Sequence, residues 1–313
     1  MPRVQPLGPH TAPAPRAGGD NIPAGIALMI TFAVLAPWID IFAKLASGMV
    51  PPVQLTLARF VVQAAVLLPV LALRRRRLRP ARGLWPLHAA RGALMAVAST
   101  AFIAAVQAMP IADAMAIFFV APLLLTAISG LVLGEEVGWR RLTACTVGFL
   151  GALLVVRPSF AELGPVALLP LLTASCFVLY VLLTRRVARD EGPVAMQAYA
   201  GISGALVMAL ALALLHDSGW PAFAAVRPAL AGWALMVAVG AAATTAHLFL
   251  VAAYARAPAP LLAPLQYLEI VSATVFGYWL FGDFPDALKW TGIAIIVGSG
   301  LFVIWRERRA ARG

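Results

Sequence analysis

Ten apolar runs, most of them about twenty residues long and divided by short polar or Pro/Gly breaks, constrain this chain more than any other feature. A helix needs about 20 mainly apolar residues to cross the hydrocarbon core of a bilayer. The runs lie near 23–45, 53–73, 84–108, 111–133, 142–156, 165–183, 193–215, 231–254, 260–281 and 288–305; the fifth is short and the third opens on polar residues. None alternates with period two, which excludes the strands of an outer-membrane barrel. Only 12% of residues are charged, about half the share that covers a soluble protein. The expected fold is therefore an all-α integral membrane protein with ten transmembrane helices.

The charges then supply an orientation. With the amino terminus in the cytoplasm, nineteen of the 24 Lys and Arg residues flank inward-facing ends, Arg91 among them. Arg74 to Arg82 is the densest group; Arg157, Arg227 and Lys289 fall outside, and Lys44 and Arg59 within the membrane. The positive-inside rule thus predicts a multi-pass protein of the cell inner membrane with both termini cytoplasmic. The net charge of +11 is accounted for by orientation signals beside anionic lipid, and no nucleic acid is implied. Residues 1–21 read as a disordered cytoplasmic tail and 307–313 as a basic one. Cys145 and Cys176 lie in apolar runs as packing residues, and no Cys/His spacing suits a metal.

The chain also repeats itself. With an offset of 148 residues, Pro110 meets Pro258, Gly134 meets Gly282, Glu135 meets Asp283, Arg141 meets Lys289 and Thr143 meets Thr291; a looser match sets Trp38 and Lys44 on Tyr180 and Arg186. Two five-helix halves, 22–158 and 163–306, must cross the membrane in opposite senses because five is odd. Inverted repeats of this kind are a transporter architecture with the substrate site near the midplane.

The stretch IADAMAIFFVAPLLLTAISGLVLGEEVGWRRLTACTVGFLGALLVVRP, from Ile111 to Pro158, resembles the end of the first repeat of the EamA family of drug/metabolite transporters. Leu133, Gly134 and Glu135 after Pro122 stand where that family ends its fourth helix in Leu-Gly-Glu, and 257–309 carries the counterpart with Asp283 in the acidic position. The resemblance covers about 22–309 and implies a secondary carrier working by alternating access. Within the family, FFVAPLLLTAISGLVLGE together with LQYLEIVSA and FGDFPD looks most like the bacterial riboflavin transporters. It implies a small-molecule substrate, a flavin-like heterocycle taken up into the cell, with membrane lipids as surroundings and no cofactor. The runner-up is uptake or export of another metabolite, such as an amino acid or S-adenosylmethionine.

Charge inside a bilayer costs about 2.5 to 3.5 kcal/mol per group on insertion scales, so each intramembrane charge needs a partner or a task. Asp40 and Lys44, four apart on the first span, make either a neutralised pair or a substrate or proton contact. Arg59 either links to Asp40 or presents its guanidinium to a carbonyl-rich or anionic substrate. Glu269, near Gln266 and Tyr267, suits a proton-coupled carrier at the midplane, with a hydrogen bond to His247 as the plain alternative. Trp38, Phe118, Phe119, Tyr180, Tyr199 and Tyr267 are candidates for stacking on a flat ring, or for simple helix packing. Asp113 suits a helix N-terminus, and Glu135, Glu136, Asp283 and Asp286 suit interfacial pairs. Pro37, Pro69, Pro122 and Pro264 free backbone carbonyls and bend their helices. Gly130 and Gly134 form a small-xxx-small step that leaves room for a homodimer without specifying one. An intramembrane enzyme and an ATP-driven pump are the competing classes. There is no HExxH, no GxSxG, no group of clustered aspartates and no GxxxxGK[ST], so no catalytic residue is expected.

Overall fold

A computed structural model describes residues 21–73, 80, 83–109, 111–133, 138–156, 164–281 and 287–310. Among these the chain forms thirteen α-helices and no strand. The first half contributes α1 (Ile22–Leu35), α2 (Pro37–Leu45), α3 (Pro52–Leu73), α4 (Trp85–Ala108), α5 (Ile111–Phe118), α6 (Ala121–Leu133) and α7 (Trp139–Val156). The second contributes α8 (Leu168–Val187), α9 (Pro193–Leu215), α10 (Leu230–Tyr254), α11 (Ala259–Leu262), α12 (Leu268–Phe281) and α13 (Ala287–Ala310), with a 3-10 turn, Ala263–Tyr267, joining α11 to α12. Residues 1–20, 74–79 and 311–313, with Glu135, Glu136, Asp283 and Asp286, lie outside the described residues, as do the side chains of Asp113, Arg141 and Lys289; 307–310, expected in the basic tail, continue α13.

Among the described residues seven segments are long and apolar enough to cross a membrane: Ile22–Leu45, Pro52–Leu73, Trp85–Ala108, Pro165–Val187, Pro193–Leu215, Leu230–Tyr254 and Ala259–Phe276. The fourth, fifth and tenth expected spans hold the apolar stretches Ala121–Gly130, Leu142–Leu154 and Trp290–Phe302, within α6, α7 and α13. The fourth run is divided in two, with a local cause. Phe119 and Val120 form a turn that separates α5 from α6, and Pro122 cannot donate a backbone hydrogen bond to Phe118.

The other breaks have identifiable repairs. Pro37 ends α1 because it cannot donate to the Ala33 carbonyl, and the hydroxyl of Ser272 on α12 donates to that carbonyl instead. At the α5–α6 break the Tyr267 phenol donates to the Phe119 carbonyl at 3.1 Å. Irregular backbone survives at membrane depth only when protein supplies such partners.

Principal packings come in pairs related by exchanging the halves. The α1–α10 contact matches α8–α4, α3–α10 matches α9–α4, and α7–α13 and α3–α9 each match themselves. Close approach at the α3–α9 crossing requires glycine, since a Cβ on Gly204 would lie 2.7 Å from the Phe60 ring. Phe119 and Tyr267, exactly one repeat offset apart in number, touch across the axis with ring centroids 5.6 Å apart.

Both halves also cap their third long helix alike. The Lys44 ammonium donates to the Val106 and Met109 carbonyls at 2.6 and 3.2 Å, at the C-terminal end of α4. Arg185 donates to the Tyr254 carbonyl at 2.9 Å, at the end of α10. Lys44 is thus a helix cap and forms no ion pair with Asp40, because its reach is spent on the carbonyls of the neighbouring helix. The second half uses Arg185 for this task, one residue before the position the looser repeat match suggests.

Arg91 is not the membrane-flanking charge that the orientation count assumes. It is fully buried, donating to Thr184 Oγ1 at 3.0 Å, the Met196 carbonyl at 3.1 Å and Tyr180 Oη at 3.3 Å. Its position in α4 places it beneath α8 and α9, which cover the guanidinium. Cys145 and Cys176 are buried free thiols.

Candidate substrate site

A cavity opens where the discontinuous helices meet, lined from both halves. Phe32 comes from α1, Ile39 and Asp40 from α2, and Arg59 from α3. A stripe of Met95, Ser99, Phe102 and Ile103 at helical spacing comes from α4, with Met115 and Phe118 from α5. The second half adds Thr173 and Phe177 from α8, His247 from α10 and Glu269 from α12. The water-accessible space is about 90 Å³, room for several waters.

The break at Ala36–Pro37 turns Asp40 toward the cavity, where it is half-buried. Glu269, in the first turn of α12, is 8% exposed and within electrostatic reach of Asp40. Arg59 is 4% exposed. It feels the charge of Asp40 through space, yet neither carboxylate comes within ion-pair distance of it among the described residues. Its anchors are neutral: one terminal nitrogen donates to Ser99 Oγ, and the other lies against the His247 ring, 3.4 Å from Nε2 and 3.5 Å from Nδ1. His247 also faces the Ala243 carbonyl through Nδ1 at 3.0 Å, and no hydrogen bond joins it to Glu269. Arg59 Nε is buried with no protein partner.

Apolar walls flank this polar end. Phe118 meets Phe102 at 5.6 Å and Phe177 at 5.5 Å between centroids, both near edge-to-face. Such rings present faces and edges to a flat ligand as readily as to each other.

Of the residues singled out in the sequence, the cavity brings together Asp40, Arg59, Phe118 and Glu269. Phe119 and Tyr267 pack behind it at the junction of the halves. Tyr180 points to the Arg91 cluster and donates to Gln197 Oε1 at 2.9 Å; Tyr199 meets His88 edge-to-face there. Gln266 donates to the Tyr254 phenol. Trp38 stands on the other face of α2, against Phe276 and Phe42, in a shallow groove with Ala238, Ala242 and Thr245 of α10. The sequence reasoning missed Phe32, Ser99, Phe102, Thr173 and Phe177. Only the 95–99–102 and 173–177 spacings mark the last four, and nothing marks Phe32; without the packing either face of those helices had equal claim.

Comparison with known proteins decides what this architecture is. The profile of the EamA-like transporter family matches residues 23–157 and again 164–305. The chain belongs to the EamA-like transporter family. Among its relatives is a riboflavin transporter of Brucella anthropi, 29% identical over 264 residues, 84% of this chain and 91% of that one. A riboflavin transporter of Vibrio cholerae is 28% identical, with 92% and 93% of the two chains covered. An S-adenosylmethionine uptake transporter of Rickettsia prowazekii is 25% identical, with 91% and 94% covered. A crystal structure with 22% sequence identity superposes with a TM-score of 0.73 over 91% of this chain and 98% of that one, which supports the fold alone. The relatives' names point to transport rather than catalysis, and the apolar helices suit a multi-pass membrane protein.

Proposed function

We propose that the cavity between the two halves is the substrate site of a secondary carrier for a flat, polar heteroaromatic metabolite, riboflavin first. The observation that carries this is the pairing of a phenylalanine wall, Phe102, Phe118 and Phe177, with a hydrogen-bonding end, Asp40, Arg59 and Glu269, in one cavity lined by both halves. Aromatic walls grip a ring system while a few fixed polar groups set its orientation. Two relatives named riboflavin transporter support the same substrate.

In this reading the chain crosses the inner membrane ten times, with both termini cytoplasmic and repeats at 22–158 and 163–306 inverted to one another. The discontinuous α1–α2, α5–α6 and α11–α12 segments meet at the midplane, as in carriers that rock one bundle against another around a fixed site. Glu269 is the group proposed to carry a proton or to accept a hydrogen bond from substrate. Phe119 and Tyr267 back the site at the junction of the halves, and Trp38, Tyr180 and Gln266 lie outside its lining.

The test is growth of a riboflavin-auxotrophic bacterium on limiting vitamin, with and without the gene. Rescue supports flavin uptake; no rescue by a well-expressed protein removes it. A second substrate, S-adenosylmethionine, is favoured by one observation: two carboxyl groups, Asp40 and Glu269, face a cavity with a single guanidinium, which suits a ligand bearing positive charge. Inhibition of riboflavin uptake by S-adenosylmethionine, lost in Asp40→Asn, would support it; indifference to the compound would exclude it.

A further inference from the structure

We infer that Ser99 and His247 are paired positioning residues that hold the Arg59 guanidinium as hydrogen-bond acceptors, leaving its Nε for a carbonyl or carboxylate oxygen of the substrate. The inference rests on the proposal that Arg59 contacts substrate. It starts from a numerical coincidence with a structural counterpart. Ser99 and His247 are one repeat offset apart in number and lie on α4 and α10, the matching helices of the two halves. Arg59 is gripped between them.

The two anchors are built alike. Ser99 Oγ donates its only proton to the Met95 carbonyl at 2.7 Å, so it meets Arg59 with lone pairs. The His247 ring faces the Ala243 carbonyl through Nδ1 at 3.0 Å. A carbonyl only accepts, so Nδ1 carries the proton; the Arg59 nitrogen lies 3.4 Å from Nε2 and 3.5 Å from Nδ1, and of the two only Nε2 then has a lone pair to accept from it. Met95 and Ala243 are themselves one offset apart. Each half therefore contributes an acceptor whose proton is committed to the carbonyl one turn earlier on its own helix.

A guanidinium has five donors. Two of these are engaged by the neutral anchors, one from each terminal nitrogen, and no carboxylate among the described residues lies within ion-pair distance. The unpartnered, buried Nε is then a fixed donor in a site that otherwise presents carboxyl groups and phenyl rings. Neutral anchors orient the charge without cancelling it, so it stays available to a ligand oxygen.

The experiment uses the full chain in proteoliposomes, with radiolabelled riboflavin as probe. Ser99→Ala and His247→Leu remove the acceptors; Ser99→Thr and His247→Gln keep them. The acceptor-lacking variants should raise the uptake KM about tenfold, the loss of one hydrogen bond to a charged group, with maximal rate changed less than twofold. The acceptor-keeping variants should stay within about twofold of wild type in both. Equal damage from His247→Gln and His247→Leu, or wild-type KM in both Ser99→Ala and His247→Leu, overturns the inference. Arg59→Ala separates it from the reading beneath it: if that variant transports normally, Arg59 is not a substrate contact and both fall together. If wild-type protein moves no riboflavin, a melting cycle in detergent judges the clamp instead. Ser99→Ala and His247→Leu should each lower the midpoint by about 2–4 °C with Arg59 present and by nothing with Arg59→Gln; additive shifts overturn it.

Discussion

Replacing Lys44 by Met separates a helix cap from a substrate ligand. In the structure the ammonium bonds two carbonyls at the end of α4, at 2.6 and 3.2 Å. A hydrogen bond to a charged group contributes about 1.5–3 kcal/mol in water-soluble proteins, and side-chain bonds between membrane helices average about 0.6 kcal/mol. Two bonds from one ammonium, sharing one charge, should therefore contribute about 2 kcal/mol. That is roughly a thirtyfold change in the folding equilibrium and about 4 °C in melting midpoint for a chain of this size. Lys44→Arg should recover most of it, since the second half already caps the matching helix with Arg185. The assay is thermal unfolding of purified protein in detergent, beside uptake kinetics on the same preparations. The expected result is a lower midpoint with an unchanged KM. An unchanged midpoint with lost uptake would refute the capping argument and return Lys44 to the substrate site.

Two further substitutions probe the junction of the halves. Tyr267→Phe removes the phenol that donates to the freed Phe119 carbonyl; it should cost about 1 kcal/mol, read as a melting shift of about 2 °C, while riboflavin KM stays at wild type. Gly204→Leu forces a side chain into the Phe60 ring at the α3–α9 crossing; overpacking of about 1–3 kcal/mol or more should lower the yield of monodisperse protein, and Phe60→Ala in the same chain should restore part of it.

Fold class was legible because it depends on run length, which a bilayer enforces residue by residue. The repeat was legible from the Pro, Gly and acidic positions that recur at one offset. Charge sorting was partly misleading at Arg91, since a guanidinium at a helix end and one folded under two neighbouring helices read the same in one dimension. Lys44 shows the same limit: its spacing from Asp40 suits a pair, but the end of α4 offers a better partner 62 residues away. Of the cavity lining, the charged residues stood out because charge is costly in lipid, which marked Asp40, Arg59 and Glu269. The phenylalanine wall carried no such mark, because membrane helices use the same side chains for packing. Which face of α4 or α8 looks into the cavity is decided by how the helices pack, and Trp38 and Tyr180 occupy unlike surroundings despite their matched positions.

The most direct test of the central claim, that substrate passes through the cavity between the halves, is saturable riboflavin uptake into proteoliposomes by wild type, Arg59→Ala and Glu269→Gln at equal protein content. The account predicts saturable uptake by wild type and at least a tenfold lower Vmax/KM in both variants. Uptake by both variants indistinguishable from wild type would contradict it.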